Sequence, residues 1–449
     1  MKKILSSLAL LTSFHVSAEA PQNIIMVVSD GMGPAYTTAY RYYNDDPATP
    51  EIETTIFDKY HVGSSSTYPA KVSGLVTDSA ASATALASGV KSYNGAIGVD
   101  VNEKPVKSVL HQAKQMGKKT GIVVTSQINH ATPAAYMVHN KSRQNYDEIA
   151  DSYFDNRINY QFLTDLMLGG GWQYFIRKDR NVVDDFKSSG FYYLDDFNQL
   201  SNLPKDKPVL GLFADKGMPQ ALDYDDKYRL STMTAAALDY LPNDKGMFLL
   251  IEASQVDWGG HSNDIAYSMS EMTDLERTMA VLEKFVENNP NTLVVLTADH
   301  STGGMTIGAN GDYAWHPTWI KNLTASTQSM AKEIGEHGLD VLKLQQALGF
   351  QLTAEEQDEL ATQMDKALAY WTENEIKFLA KGYSQASTVA RKMRKAITQL
   401  IDKRTNTGWT TGGHTGVDVP VYAFGKNSEL FIGQLDNVDI ATKIFSLLK

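Results

Sequence analysis

The 449-residue chain contains no cysteine. Disulfides are therefore excluded, and so are thiolate zinc sites: any metal must be held by oxygen and nitrogen. Long hydrophobic runs are also missing. The most apolar stretch, Ile4 to Phe14, is too short to span a bilayer, and no later segment reads as a membrane helix. There is no excess of positive charge either. The formal net charge is −11, with acidic residues spread along the chain, which argues against coating a nucleic acid. No internal repeat or low-complexity tract is present, and 43% hydrophobic with 21% charged residues suits a globular protein.

The first 18 residues read as a secretory signal. Lys2 and Lys3 start it, an apolar segment follows, and Val16-Ser17-Ala18 has the small-residue pattern of a cleavage site. The expected mature protein is periplasmic or secreted, with no membrane anchor.

Beyond the leader, apolar runs alternate with helical patterns. Asn23 to Asp30, Thr120 to Thr125, Phe191 to Leu194, Val209 to Phe213, Gly246 to Glu252, Thr292 to His300 and Val417 to Phe424 are expected strands. Helices are expected at Ala35 to Tyr43, from Ser79 onward, and at Val106 to Met116, Leu230 to Leu241, Asp264 to Glu287 and Asp436 to Leu448. Strand–helix alternation of this kind implies an α/β fold with a large, mostly parallel central sheet flanked by helices. Residues 312 to about 403 break the alternation and read as a helical insertion in a single domain covering 19–449.

Three strands end in carboxylate or imidazole groups: Asp30, Glu252, and Asp299 with His300. Reactive sites in open α/β sheets lie beyond the carboxyl ends of the strands, so these groups are expected at one edge. Thr77-Asp78-Ser79 precedes an alanine-rich helix, which places Ser79 at a helix N-terminus where free N–H groups favour an anion. Taken alone, these residues are equally well read as a cap. Asp257 and His261, four apart, suit one zinc ion from a helical face or a tight loop. His414 lies in a glycine-rich loop, Gly412-Gly413-His414-Thr415-Gly416.

The order of these motifs resembles the alkaline phosphatases over nearly the whole mature chain. The stretches concerned are Val28-Ser29-Asp30-Gly31-Met32-Gly33, Thr77-Asp78-Ser79-Ala80, Ala131-Thr132-Pro133-Ala134-Ala135 with Arg143, Glu252-Ala253-Ser254, Asp257 with His261, Thr297-Ala298-Asp299-His300, and Gly413-His414-Thr415-Gly416. The resemblance implies hydrolysis of phosphate monoesters through a phosphoserine on Ser79. It implies one zinc on Asp257, His261 and His414, and a second on Asp30, Asp299, His300 and Ser79. Magnesium is implied on Asp30, Thr132 and Glu252, and Arg143 is the implied phosphate clamp. Two metals about 4 Å apart can hold both the attacking and the leaving oxygen of an in-line displacement. Related enzymes are usually homodimers acting on small phosphate monoesters of broad range.

Two positions depart from the best-known enterobacterial pattern, which has aspartate and lysine where this chain has His130 and Trp258. The same His/Trp pair occurs in relatives from marine and cold-living bacteria. Both residues are expected to tune magnesium retention and phosphate release. His316, between Trp315 and Pro317, is the remaining histidine worth locating; His61, His111, His139 and His337 have no evident ligand partner. Two other readings stay open at this point. Phosphodiesterases, sulfatases and phosphoglycerate mutases share the superfamily, although the Cys- or Ser-x-Pro-x-Arg context of sulfatases is absent around Ser79. A metal- or phosphate-binding protein without activity is the other.

Overall fold

A ten-stranded mixed sheet forms the centre of the computed structural model, which describes residues 19–224 and 226–448. The expected signal, residues 1–18, lies outside the described residues. In chain order the strands are β1 (Asn23–Val28), β2 (His61–Ser66), β3 (Lys119–Gln127), β4 (Leu166–Gly170), β5 (Tyr192–Leu194), β6 (Val209–Leu212), β7 (Met247–Glu252), β8 (Thr292–Thr297), β9 (Val419–Gly425) and β10 (Gly433–Asp436). Across the sheet they run β10-β2-β9-β8-β1-β7-β3-β4-β6-β5. Within this sheet, among the described residues, β9 alone pairs antiparallel, with β8 on one side and β2 on the other; the remaining neighbours are parallel.

β1 lies between β7 and β8, and all six of its residues are buried. Strands covered on both faces lose the polar–apolar alternation and become continuously apolar, as Asn23–Val28 is. Ile24, Met26 and Val28 face a core shared with the helices Ser79–Ser88, Val109–Gln115, Ala131–Met137 and Asn437–Leu447. Ile25 and Val27 face the opposite core, built with Pro34–Asn44, Arg229–Tyr240 and the long helix Ile265–Asn288. The fold is therefore three-layered, with the sheet in the middle.

Between β8 and β9 the chain adds helices, among them Thr327–His337, Val341–Leu348, Ala354–Leu379 and Gln385–Thr405. Thr353 starts the third of these with a capping box completed by Glu356. Gly382, at φ +76°, marks the turn that divides the expected helical stretch into two antiparallel-contacting helices. No helix among the described residues is long and apolar enough to cross a membrane.

Candidate metal centre and phosphoryl-transfer site

The parallel strands bring their carboxyl ends to one level: Val28 pairs with Glu252 on one side and with Thr297 on the other. Glu252 itself ends β7 at that level, Asp30, Asp299 and His300 lie just beyond it, and all four are fully buried. Gly31 makes the turn after Asp30 at φ +76°, and a Cβ there would sit 2.7 Å from the Cα of Asp257. Only glycine permits that approach, which is what brings Asp30 and Asp257 together. His414 arrives differently. It precedes β9, the reversed strand, whose beginning lies at the edge where the parallel strands end. A short ribbon pairs His414 with Thr302 and Thr415 with Ser301, fixing the imidazole beside His300.

Three ligand sets emerge. Asp257, His261 and His414 form one; Asp30, Asp299 and His300 form the second; Asp30, His130 and Glu252 form the third, and Asp30 belongs to two of them. Asp257 and His261 sit on the short helix Gln255–His261, so the four-residue spacing is helical. Within the second set, His300 Nε2 lies 3.3 Å from Asp30 Oδ1, 3.1 Å from Asp299 Oδ2 and 3.0 Å from Ser79 Oγ. In the first, His261 Nε2 is 3.3 Å from Asp257 Oδ2 and 3.2 Å from His414 Nε2.

The tautomers follow from the partners on the far side of each ring. His414 Nδ1 is 2.8 Å from the Thr77 carbonyl, and His261 Nδ1 is 2.7 Å from the Gly412 carbonyl. A carbonyl only accepts, so both Nδ1 atoms carry hydrogen and both Nε2 atoms present lone pairs. For His300 the acceptor is Thr302 Oγ1, at 3.2 Å, whose own hydrogen goes to Asp257 Oδ1 at 2.5 Å. Orientation of this kind is what holds imidazoles on a metal. Two lone pairs facing each other at 3.2 Å repel unless a cation or proton lies between them.

The carboxylates make the same case. Both oxygens of Asp30, Oδ2 of Asp299, Oε1 of Glu252 and Oγ1 of Thr132 are buried with no hydrogen-bond partner among the described residues. Burial, reinforced by the charges of Asp299, Asp257 and Glu252, pushes the Asp30 carboxyl well above the usual range. Burial likewise pushes Glu252 up to about 7. Acceptors clustered and unsatisfied in this way fit bound cations, held in all three sets by oxygen and nitrogen donors alone.

Ser79 opens the helix Ser79–Ser88, with Asp78 as its cap: Asp78 Oδ1 accepts from Ala81 N at 3.0 Å. The free N–H groups of that first turn and the helix dipole face the space around Ser79 Oγ. Arg143 reaches the same place. Its Nη1 donates to Asp78 Oδ2 at 3.1 Å and its Nη2 to His130 Nε2 at 3.3 Å. Trp258 is edge-on to His130, with ring centroids 6.2 Å apart, and its ring covers Gly217, where a Cβ would be 2.3 Å from Cη2.

Over residues 21–449 the chain matches the family described as alkaline phosphatase. It belongs to that family. Alkaline phosphatase 3 of Bacillus subtilis (strain 168) is 45% identical over 431 residues, covering 95% of this chain and 89% of that protein. Among solved structures, a cold-active alkaline phosphatase from a psychrophilic Shewanella sp. is 43% identical, with a TM-score of 0.86 over 95% of this chain and 100% of that one. The alkaline phosphatase of the Antarctic bacterium TAB5, in a form with one histidine changed to aspartate and magnesium bound in its M3 site, is 28% identical. It has a TM-score of 0.66 over 96% of this chain and 99% of that one. The protein is a phosphatase that hydrolyses phosphate monoesters with metal assistance through a catalytic serine.

The structure of this phosphatase gathers Asp30, Ser79, His130, Thr132, Arg143, Glu252, Asp257, Trp258, His261, Asp299, His300 and His414 around one sheet edge. His316 is not among them: it is exposed and outside the three ligand sets. Thr302, the Thr77 and Gly412 carbonyls, and Ser126, which donates to Glu252 Oε2 at 3.2 Å, escape a sequence reading. They are ordinary residues whose role exists only once the ribbon and the neighbouring strands are formed.

Proposed function

We propose that Ser79 is the nucleophile, that zinc ions occupy the Asp257/His261/His414 and Asp30/Asp299/His300 sets, and that magnesium occupies the third site on Asp30, Thr132 and Glu252. The observation that carries this reading is the convergence of three outward-locked Nε2 atoms and unpartnered buried carboxylate oxygens on one serine. When bound, the metals supply charge neutralisation for the attacking and leaving oxygens and lower the cost of ionising the serine.

The chain's own groups do the rest. Ser79 Oγ attacks phosphorus, and the N-terminal turn of its helix receives the phosphoryl oxygens. Arg143 binds two of those oxygens through its planar fork, a geometry lysine does not offer. Asp78 holds that guanidinium in place. A water molecule then releases the phosphate and restores the serine, so one hydrolytic cycle consumes one water.

His130 fits a positioning role. Arginine has no acceptor, so His130 Nε2 accepts from Arg143 and the neutral ring carries its hydrogen on Nδ1. That N–H is buried and without a partner, in the same pocket as Asp30 and Glu252. It suits a water in the third metal's hydration shell and does not suit direct ligation. The Antarctic enzyme, in which a histidine-to-aspartate form has magnesium in its M3 site, supports the link between such a histidine and magnesium.

The same reading takes residues 1–18 as an export signal, places the protein in the periplasm or medium, and makes it a homodimer acting on varied small monoesters; light scattering of the mature protein checks the dimer. The deciding test is turnover of p-nitrophenyl phosphate, its bis-ester and the corresponding sulfate, with metal analysis on the same sample. Monoester turnover with two zinc ions and one magnesium per chain is expected; preferred diester or sulfate turnover overturns the reading.

A further inference from the structure

One cleft of about 570 Å³ borders the first ligand set without belonging to it. His261 forms part of its wall, and the helix Gln385–Thr405 supplies Arg391, Arg394 and Lys395. These three cations stand at positions i, i+3 and i+4, so they share one helical face. A basic face on a helix is usually just solvated. Three observations set this one apart.

First, two of the three charges are not spent on neighbours, and the third meets only a long contact to Asp264. Arg391 and Lys395 are exposed, and neither side chain has an ion-pair or hydrogen-bond partner among the described residues. Arg394 is more telling: its Nε and Nη2 are buried and lack hydrogen-bond partners among the described residues. The carboxylate facing it, Asp264 Oδ2, is 3.9 Å away and already accepts from Thr327. Buried guanidinium hydrogens without acceptors are costly unless something fills the space beside them.

Second, the remaining acid in the cleft is muted. Burial, with a contribution from the charge of Asp264, pushes the Asp402 carboxyl up to about 8, although Trp409 Nε1 donates to it at 3.1 Å. Third, this concentration of positive charge occurs in a chain of net charge −11. Local cationic walls in an acidic protein focus anions onto that spot.

We propose that this cleft is a leaving-group subsite, in which Arg391, Arg394 and Lys395 hold a second phosphate group of the substrate while its scissile phosphoryl group faces Ser79. The inference rests on the phosphomonoesterase reading of the site and narrows it to substrates with two phosphates, either adjacent as in pyrophosphate or separated as in a sugar bisphosphate. The chemistry is unchanged. Ser79 Oγ forms a bond to phosphorus, the bond to the leaving oxygen breaks, and that oxygen departs with its phosphate-bearing remainder. Water then cleaves the serine ester.

The experiment compares the metal-loaded wild type with an R391S/K395S double variant, whose changed residues are both exposed and so leave folding intact. Substrates are p-nitrophenyl phosphate, inorganic pyrophosphate and fructose 1,6-bisphosphate; methylenediphosphonate serves as a non-hydrolysable inhibitor. The KM for at least one two-phosphate substrate should rise about fivefold, as two exposed charge contacts allow, with kcat and the p-nitrophenyl phosphate constants unchanged. The inhibition constant of methylenediphosphonate should rise together with the KM for pyrophosphate, and both effects should shrink in high salt. A rise for pyrophosphate supports an adjacent second phosphate, and a rise for the bisphosphate alone supports a separated one. Equal shifts for all three substrates, or none, overturn the subsite. Absence of p-nitrophenyl phosphate turnover in the wild type instead defeats the phosphomonoesterase reading beneath it.

Discussion

His130 accepts a hydrogen bond from Arg143, with Nε2 and Nη2 3.3 Å apart. One imidazole thus links the proposed phosphate clamp to the pocket of the third metal site. Burial, and then the charge of Arg143, pushes its pKa down to about 3, so the ring is neutral at working pH. His130→Asp replaces a neutral donor with a carboxylate that can hold both magnesium-bound water and the guanidinium. Magnesium affinity should rise about tenfold or more, with zinc content unchanged, in titrations followed by metal analysis. Trp258→Lys should strengthen inhibition by inorganic phosphate, and it should also lower stability slightly because the indole packing over Gly217 is lost. Loss of both zinc ions in either variant would count against a tuning role.

Ser79→Ala should reduce kcat by at least about a thousandfold, because it removes the oxygen that forms the proposed covalent intermediate. Zinc should remain, since Asp30, Asp299 and His300 stay in place. Near-normal turnover with stoichiometric zinc would remove the phosphoserine from the mechanism.

Chelation should destabilise the protein as well as inactivate it. Removing cations leaves Asp30, Asp299 and Glu252 buried together with unpartnered oxygens, the arrangement that metal binding and folding normally share. The melting temperature in excess chelator should fall by several degrees and recover on adding zinc and magnesium. An unchanged value would mean that the cluster does not need its ions.

Asp402 gives a pH dependence away from the metals. Its carboxyl is raised by burial, so folding favours the protonated form. That stabilising preference is complete below the unfolded-state value near 4 and is lost as pH rises through about 8. Asp402→Asn cannot ionise and still accepts from Trp409. The variant should match wild type at pH 4 in thermal melts and exceed it at pH 9, by on the order of a few kcal/mol. Identical pH profiles would show that Asp402 is already ionised in the fold.

Arg229 is wholly buried and bonded to Glu271, with Asp274 Oδ2 3.9 Å from its Nε. Asp274 in turn accepts the backbone N–H groups of Leu230 and Ser231 at 2.8 and 3.0 Å. Arg229→Met strands two acids in the core and should cost about 3–5 kcal/mol in denaturant unfolding. A loss below about 1 kcal/mol would show that the acids are protonated and self-sufficient.

The sequence carried the central sheet well where strands are buried on both sides, because β1, β7 and β8 read as unbroken apolar runs ending in ligands. β2, His61–Ser66, was illegible: its serines and glycine are mostly half-exposed, and it is a strand because β9 and β10 pair with it. β4, Leu166–Gly170, was missed too, its glycines hiding a fully buried strand. The ligand types were legible because carboxylates and imidazoles at strand ends stand out against apolar runs. The tautomer-fixing oxygens of Thr302, Thr77 and Gly412 were not, since a hydroxyl or carbonyl acquires that role only from long-range pairing. His130 as the partner of Arg143, thirteen residues on, belongs to the same class.

The reversed strand has a consequence for the order in which this protein becomes an enzyme. β9 lies between β8 and β2, and the residue that completes the first ligand set stands just before it, 153 positions after His261. A growing chain therefore holds the serine, the arginine and most of the carboxylates long before His414 exists. Any fragment ending ahead of that point has an open gap inside its sheet and an incomplete centre. Full activity should therefore report complete synthesis and closure of the sheet, with truncated products expected to be silent without a separate inhibitor.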